Sequence, residues 1–145
     1  MARFLFTILS FALALLMINV EAAPLQARQI GGIACNVARL QIVTDLAQTK
    51  NLLSKVDTTD PAAADAVSTA QSGLDSASDG IKTIAGALIT GQTAPAAARD
   101  QVATGLDGAL TSLTGLNSTD TAVSDTVSKL NKAIAAGNQV VATCK

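Results

Sequence analysis

From Ala63 to Leu88 the apolar residues Ala63, Val67, Ala70, Leu74, Ala77, Ile81, Ile84 and Leu88 follow one another by alternate steps of four and three. Only a helix places such residues on one side, because its 3.6-residue turn returns to the same face every three to four positions. A strand would need a period of two. The same alternation recurs in Val102, Leu106, Ala109, Leu113 and Leu116, and again in Val123, Val127, Leu130, Ile134, Gly137 and Val141. A further block from about Ile33 to Val56 carries Ile42, Leu46, Leu53 and Val56 on one stripe, with Val37, Leu40, Val43 and Ala47 expected beside it. Four amphipathic helices must bury their stripes against each other, so the chain is expected to be all-α, an antiparallel four- or five-helix bundle.

The punctuation agrees with this division. Asp60-Pro61 reads as an N-cap followed by proline at the first helical position, where the missing N–H costs nothing. Gly91 is expected to stop the second helix and Thr93-Ala94-Pro95 to start the third. Asn117-Ser118-Thr119-Asp120 closes the third helix and caps the fourth, where Asp125 and Lys129 stand at i, i+4 as an expected ion pair.

Ahead of the first helix, Arg3 precedes an apolar run from Phe4 to Val20, and Val20-Glu21-Ala22 has the small-residue spacing that signal peptidase requires. Residues 1–22 are therefore read as a secretory signal, residues 23–32 as a flexible leader and residues 33–145 as the helical domain. A retained signal anchor is the alternative, and Arg28 is a candidate processing site within the leader. No integral membrane span is expected in the remaining chain, and the expected location is extracellular, at the cell exterior or wall. In an oxidising compartment the two cysteines should pair. Cys35 opens the first helix and Cys144 ends the fourth, and in an up-down-up-down bundle those ends share a pole. A Cys35–Cys144 disulfide is expected, with an intermolecular bridge or free thiols as the alternative.

What is missing excludes more chemistry than what is present. The chain has no His, Trp or Tyr, and Phe4, Phe6 and Phe11 all fall within the signal segment. Imidazole catalysis, base or sugar stacking and cation–π cages are thereby excluded. Lys and Arg number 10 against 11 Asp and Glu, a net charge of −1 that offers no footprint for nucleic acid. Lys129 with Ser128 or Ser124 could form a Ser–Lys pair, but at these spacings a solvated helix face is the simpler reading. Asp75 and Asp79 share a face, yet nothing bulky stands near to desolvate them. Asp57, Asp60 and Asp65 lack the alternating oxygens and central glycine of a calcium loop. No catalytic residue, metal ligand or cofactor site is assigned, and the chain is read as non-enzymatic. Asn117-Ser118-Thr119 is an N-glycosylation sequon on an interhelical connector.

The binding reading rests on the helix interiors. Gly73, Gly80, Gly86, Gly105, Gly108 and Gly115 fall within the expected helices, each at a cost of up to about 1 kcal/mol relative to alanine. Such residues let helices approach closely or leave a groove for a flexible apolar ligand. The stripe residues that could face one are Leu46, Leu53, Val67, Leu74, Ile81, Ile84, Leu88, Val102, Leu106, Leu113, Val127, Leu130 and Ile134.

The leader Ala23-Pro24-Leu25-Gln26-Ala27-Arg28-Gln29, the Ala/Ser/Thr/Leu-rich helices and stretches such as Gly105-Leu106-Asp107-Gly108-Ala109-Leu110 resemble the fungal hydrophobic surface binding protein A and cell wall galactomannoprotein family. The resemblance spans the chain beyond the signal through composition and helix pattern, and no motif matches position by position. It implies adsorption to hydrophobic surfaces, recruitment of secreted hydrolases, or fatty-acid binding within a helical bundle. The expected partner is thus a hydrophobic surface, a fatty acid or another lipid. The alternative is a small secreted interaction protein or effector that binds a host or wall protein.

Overall fold

A computed structural model describes residues 32–144. The signal segment and the leader through Gly31 lie outside the described residues. Within them the chain forms four helices: α1 (Ile33–Leu53), α2 (Pro61–Ile89), α3 (Ala96–Thr114) and α4 (Thr121–Thr143).

The caps explain most of the boundaries. Asp60 caps α2 by accepting from the Ala62 N–H at 3.1 Å, and Pro61 occupies the first helical position. Asp120 caps α4 in the same way, accepting from Ala122 at 2.8 Å. Gly91 ends the run after α2 with φ 74°, a left-handed conformation that costs glycine little. Pro95 stands at the N-cap of α3, so Thr93-Ala94-Pro95 leads into the helix, with no side-chain cap. One expectation needs correction. Gly115 follows α3 as its C-cap and is not an interior residue.

The four helices associate as two intimate pairs, α2 with α3 and α1 with α4, while α3–α4 and α1–α2 meet along much less of their length. The α2–α3 pair is a zipper of small residues. A Cβ built on Gly73 would lie 2.5 Å from the Gly105 carbonyl oxygen, and one on Gly105 would lie 2.5 Å from the Gly73 oxygen. Two turns farther along, a Cβ on Gly80 would meet the Ala98 oxygen and Val102 Cγ2, both at 2.8 Å. Ala70, Ala77 and Ala109 are fully buried along the helices of this pair, and Gln101 Nε2 donates to the Ser76 carbonyl at 3.1 Å.

The α1–α4 pair is locked at one end by the Cys35–Cys144 disulfide, whose Cα atoms are 5.0 Å apart. Ala38, Ala133 and Ala136 are buried along these two helices, and Ile42 Cδ1 sits 3.3 Å from where a Gly137 Cβ would stand. Thr49 and Thr126 are fully buried and satisfy their hydroxyls on carbonyls four residues earlier, at 2.7 and 2.6 Å. Asp45 is also buried, with one carboxylate oxygen 3.5 Å from Lys129 Nζ and the other without a hydrogen bond. Lys129 therefore pairs across to α1, where the sequence pattern pointed to Asp125.

A second correction concerns α1. Val37 and Leu40, expected beside the buried stripe, project to its opposite side and are 56% and 68% exposed, while Val43 flanks the stripe at 47% exposure and Ala47 is exposed. At 100° per residue Val37 and Leu40 lie about 140–160° from the stripe of Ile42, Leu46 and Leu53, whereas Val43 lies only about 80° from it. The first helix is apolar on two faces and buries one.

Topology turns the two pairs into the jaws of a clamp. The α1–α2 connector (54–60) and the α3–α4 connector (115–120) both lie at one pole, and they alone join jaw to jaw. At the opposite pole the covalent links stay within a jaw: the α2–α3 connector in one, the disulfide in the other. The hinge pole is pinned by Asp120 Oδ2, which accepts from the Asp57 N–H at 3.1 Å, and by buried Val56 and Val123.

Candidate functional site

An apolar groove of about 640 Å³ lies between the jaws toward the open pole. Each helix contributes a short aliphatic segment: Ile42 and Val43 from α1, Ile81, Ile84 and Leu88 from α2, Val102 and Leu106 from α3, and Ile134, Val140 and Val141 from α4. Contact is extensive within each pair and much sparser between the pairs, and the groove lies where the two pairs face each other. Aliphatic walls provide no directional hydrogen bonds, so such a space suits a flexible hydrocarbon chain and has no means of orienting a polar metabolite. Arg39, Arg99 and Asp107 are the charged residues on its lining.

The stripe residues divide between this groove and the closed core. Ile81, Ile84, Leu88, Val102, Leu106 and Ile134 line the groove. Leu46, Leu53, Leu74, Leu113 and Leu130 are buried in the core cluster, and Val67 and Val127 are half-buried against it. Those seven do not face the groove; Leu53 and Val67 border a shallower recess of about 430 Å³. Arg39, Ile42, Val43, Ala85, Ala103, Val140 and Val141 also line the groove, although the sequence pattern did not single them out as facing a ligand. For Val140 and Val141 the signal was their proximity to Cys144, which the disulfide carries onto the same pole as Arg39.

The carboxylates earlier weighed for chemistry are engaged structurally. Asp75 accepts from Lys50 Nζ at 2.8 Å and from Gln71 Nε2 at 3.0 Å, while Asp79 accepts from Lys82 at 2.9 Å. The Lys50 bond, followed by that of Gln71, holds the Asp75 carboxyl below its ordinary range. Asp57 is lowered by the Thr59 N–H, and Lys82 is raised by Asp79. Asp60 is committed to capping α2, and among the described residues no cluster of three or more His, Cys, Asp or Glu could hold a metal ion. Asn117 is exposed on the connector at the hinge pole, away from the groove mouth. Among the described residues no helix is long and apolar enough to cross a membrane.

Because Lys50 belongs to α1 and Asp75 to α2, their pair spans the two jaws, and its pH dependence has a definite sign. A carboxyl whose folded pKa is depressed stabilises the fold above the unfolded value, about 3.9, and that contribution is lost as pH falls through the folded value. Asp75→Asn is expected to melt slightly below the wild type at pH 6, with the difference closing below about pH 4. Thermal melts across that range check it; a difference independent of pH would assign the effect to something other than this ion pair.

Comparison with protein families, with curated proteins and with solved structures finds no match to this chain.

Proposed function

We infer that this is a secreted, non-catalytic protein that binds the hydrocarbon part of a lipid in the groove between its two helix pairs. The carrying observation is the groove itself: about 640 Å³, walled by aliphatic side chains from all four helices, and set at the pole where no covalent link crosses from jaw to jaw. That volume falls within the range of pockets that enclose small ligands. The position allows the site to widen by rotation about the hinge pole without breaking either zipper. Secretion is supported by the disulfide together with the signal-like first 22 residues. The resemblance to the fungal hydrophobic surface binding and galactomannoprotein family points the same way, to an apolar partner at the cell exterior or wall.

A second reading is adsorption to hydrophobic surfaces, favoured by the exposed stripe Ile33, Val37 and Leu40 on the outer face of α1. The two readings use different surfaces and separate experimentally. Decanol should displace a fluorescent apolar probe from the wild type, and Ala103→Trp, which fills the groove from its wall, should weaken displacement at least about tenfold, since the indole occupies the volume the chain needs. Leu40→Gln with Val37→Gln should leave displacement unchanged while reducing depletion by polystyrene particles. Undiminished decanol binding by Ala103→Trp would sink the groove reading. Specific capture of one host or wall protein, with neither apolar activity, would favour the effector alternative.

A further inference from the structure

We propose that the outer face of α1 is the interface of a weak homodimer, in which the helix packs antiparallel against α1 of a second copy of the chain. This face points away from the other three helices, so its role is independent of the groove reading.

Ile33, Val37, Leu40, Thr44, Ala47 and Asn51 follow one another by alternate steps of four and three, and all six are exposed. At 100° per residue they fall within an arc of about 80°, on the side opposite buried Ala38, Ile42 and Leu53. Ile33 and Leu40 are the most exposed of its large side chains, at 86% and 68%. The Thr44 hydroxyl is satisfied on its own helix, donating to the Leu40 carbonyl at 2.9 Å, so it asks nothing of a partner. Such spacing forms the seam along which two helices pack.

Charge selects a second copy as the occupant. Among the described residues, α1 is the one helix with no charge at its exposed positions. Its three charged side chains are used elsewhere: Arg39 on the groove lining, Asp45 buried beside Lys129, and Lys50 on Asp75 of α2. The other helices expose Asp65, Asp79 and Lys82 on α2, Arg99 and Asp100 on α3, and Asp125 and Lys132 on α4. In a twofold contact the same patch is used by both copies, so a charged face brings like charges together near the axis and an uncharged face does not. A charged partner finds nothing on this face to pair with.

The antiparallel direction follows from the poles. A parallel pair would set the acidic connectors, with Asp57, Asp60 and Asp120, side by side. An antiparallel pair holds them more than about 30 Å apart, several screening lengths at physiological salt. Leu40 of each copy then faces Val37 of the other across the axis, and Ile33 faces Thr44. One helix against one helix, each about 30 Å long, buries well under the roughly 800 Å² per partner of a standard interface, so association is expected at micromolar concentrations or above.

Sedimentation velocity of the intact disulfide-bonded protein, from about 5 to 500 μM, should show the mass rising from monomer toward dimer, undiminished by salt. Leu40→Asp sets two carboxylates beside the axis and should raise the dissociation constant at least about tenfold while leaving the helical circular dichroism unchanged. Ile89→Asp, at an equally exposed position on α2 outside this face, should change it less than twofold. On mild oxidation, Ile33→Cys should cross-link to Thr44→Cys when the two variants are mixed, and neither should cross-link to itself; self-linked Ile33→Cys would overturn the antiparallel arrangement. A monomer throughout the range, or association that Leu40→Asp leaves intact or that Ile89→Asp weakens equally, would overturn the dimer. If the protein stays monomeric and Leu40→Asp reduces its depletion by polystyrene particles, the face serves adsorption and the dimer is refuted.

Discussion

Removing the Cys35–Cys144 bridge is expected to lower stability by about 3–5 kcal/mol, because the crosslink closes a long loop and restricts the unfolded chain. The two cysteines are 109 positions apart, so the bond constrains nearly the whole described domain. For a domain of this size the loss corresponds to a fall in Tm of roughly 10–20 °C. Cys35→Ala with Cys144→Ala is the appropriate variant, since Cys35 is fully buried and a serine there would bury a hydroxyl. Urea unfolding of the oxidised protein, the reduced protein and the double variant gives the three values to compare. The effect should also be directional. The bridge is the covalent tie between α1 and α4 at the open pole, so its loss should release the last turns of α4 first, and with them Val140 and Val141 of the groove wall. Hydrogen exchange should accelerate there before it does in the α2–α3 zipper. A change in Tm of under about 3 °C would mean that α1 and α4 hold together by side-chain contacts alone.

The second large effect lies in the other jaw. Gly73→Ala and Gly105→Ala should each destabilise by about 2 kcal/mol or more, since overfilling a close contact costs about 1–3 kcal/mol or above and helix propensity returns at most about 1. In both cases the new methyl meets a backbone carbonyl at 2.5 Å, which cannot rotate away as a flexible side chain can. The helices must move apart, which loosens the buried contacts of Ala77 and Ala109. Once separated they accommodate a second methyl more cheaply, so the double variant should cost less than the sum of the singles. Gly86 and Gly108 provide the contrast. Nothing lies within 4 Å of a Cβ built on either, so alanine there should stabilise by up to about 1 kcal/mol through propensity alone. If all four substitutions shifted the urea midpoint in the same direction, close approach would not be the reason for Gly73 and Gly105.

These two predictions show how unevenly the fold could be read from the chain. The helices were legible because apolar spacing is a local property: a step of four and three specifies a face whatever that face meets. Asp60-Pro61 and Asp120 were legible for the same reason, as caps act within a few residues. Cys35 and Cys144 were legible through topology, since alternating helices bring the first and last ends to one pole. The spacing of glycines was visible too, but it could not distinguish Gly73 and Gly105, which sit at a helix crossing, from Gly86 and Gly108, which face open space. That difference is set by the partner helix.

The same limit explains the corrections. Val37 and Leu40 satisfied a helical period as well as Ile42 and Leu46 did, so pattern alone put them beside the core; their exposure follows from where α4 lies. Lys129 had an acceptable partner four residues away in Asp125 and instead reaches Asp45 across the pair. In each case a local rule offered a sound answer and a neighbouring helix imposed another.

By itself, then, the chain determined that this protein is helical, where its helices start and stop, that aliphatic stripes and not aromatic or imidazole groups would form its interior, and that its two cysteines could meet. Tertiary structure alone decided the pairing of α2 with α3 and α1 with α4, the clamp this creates and the aliphatic groove between the jaws. The reason is physical. Helical periodicity records which surface must leave water, an interaction with solvent that each segment satisfies separately. Which surface it meets depends on the steric fit between segments distant in sequence, and a missing methyl at a crossing decides that fit as strongly as any apolar stripe.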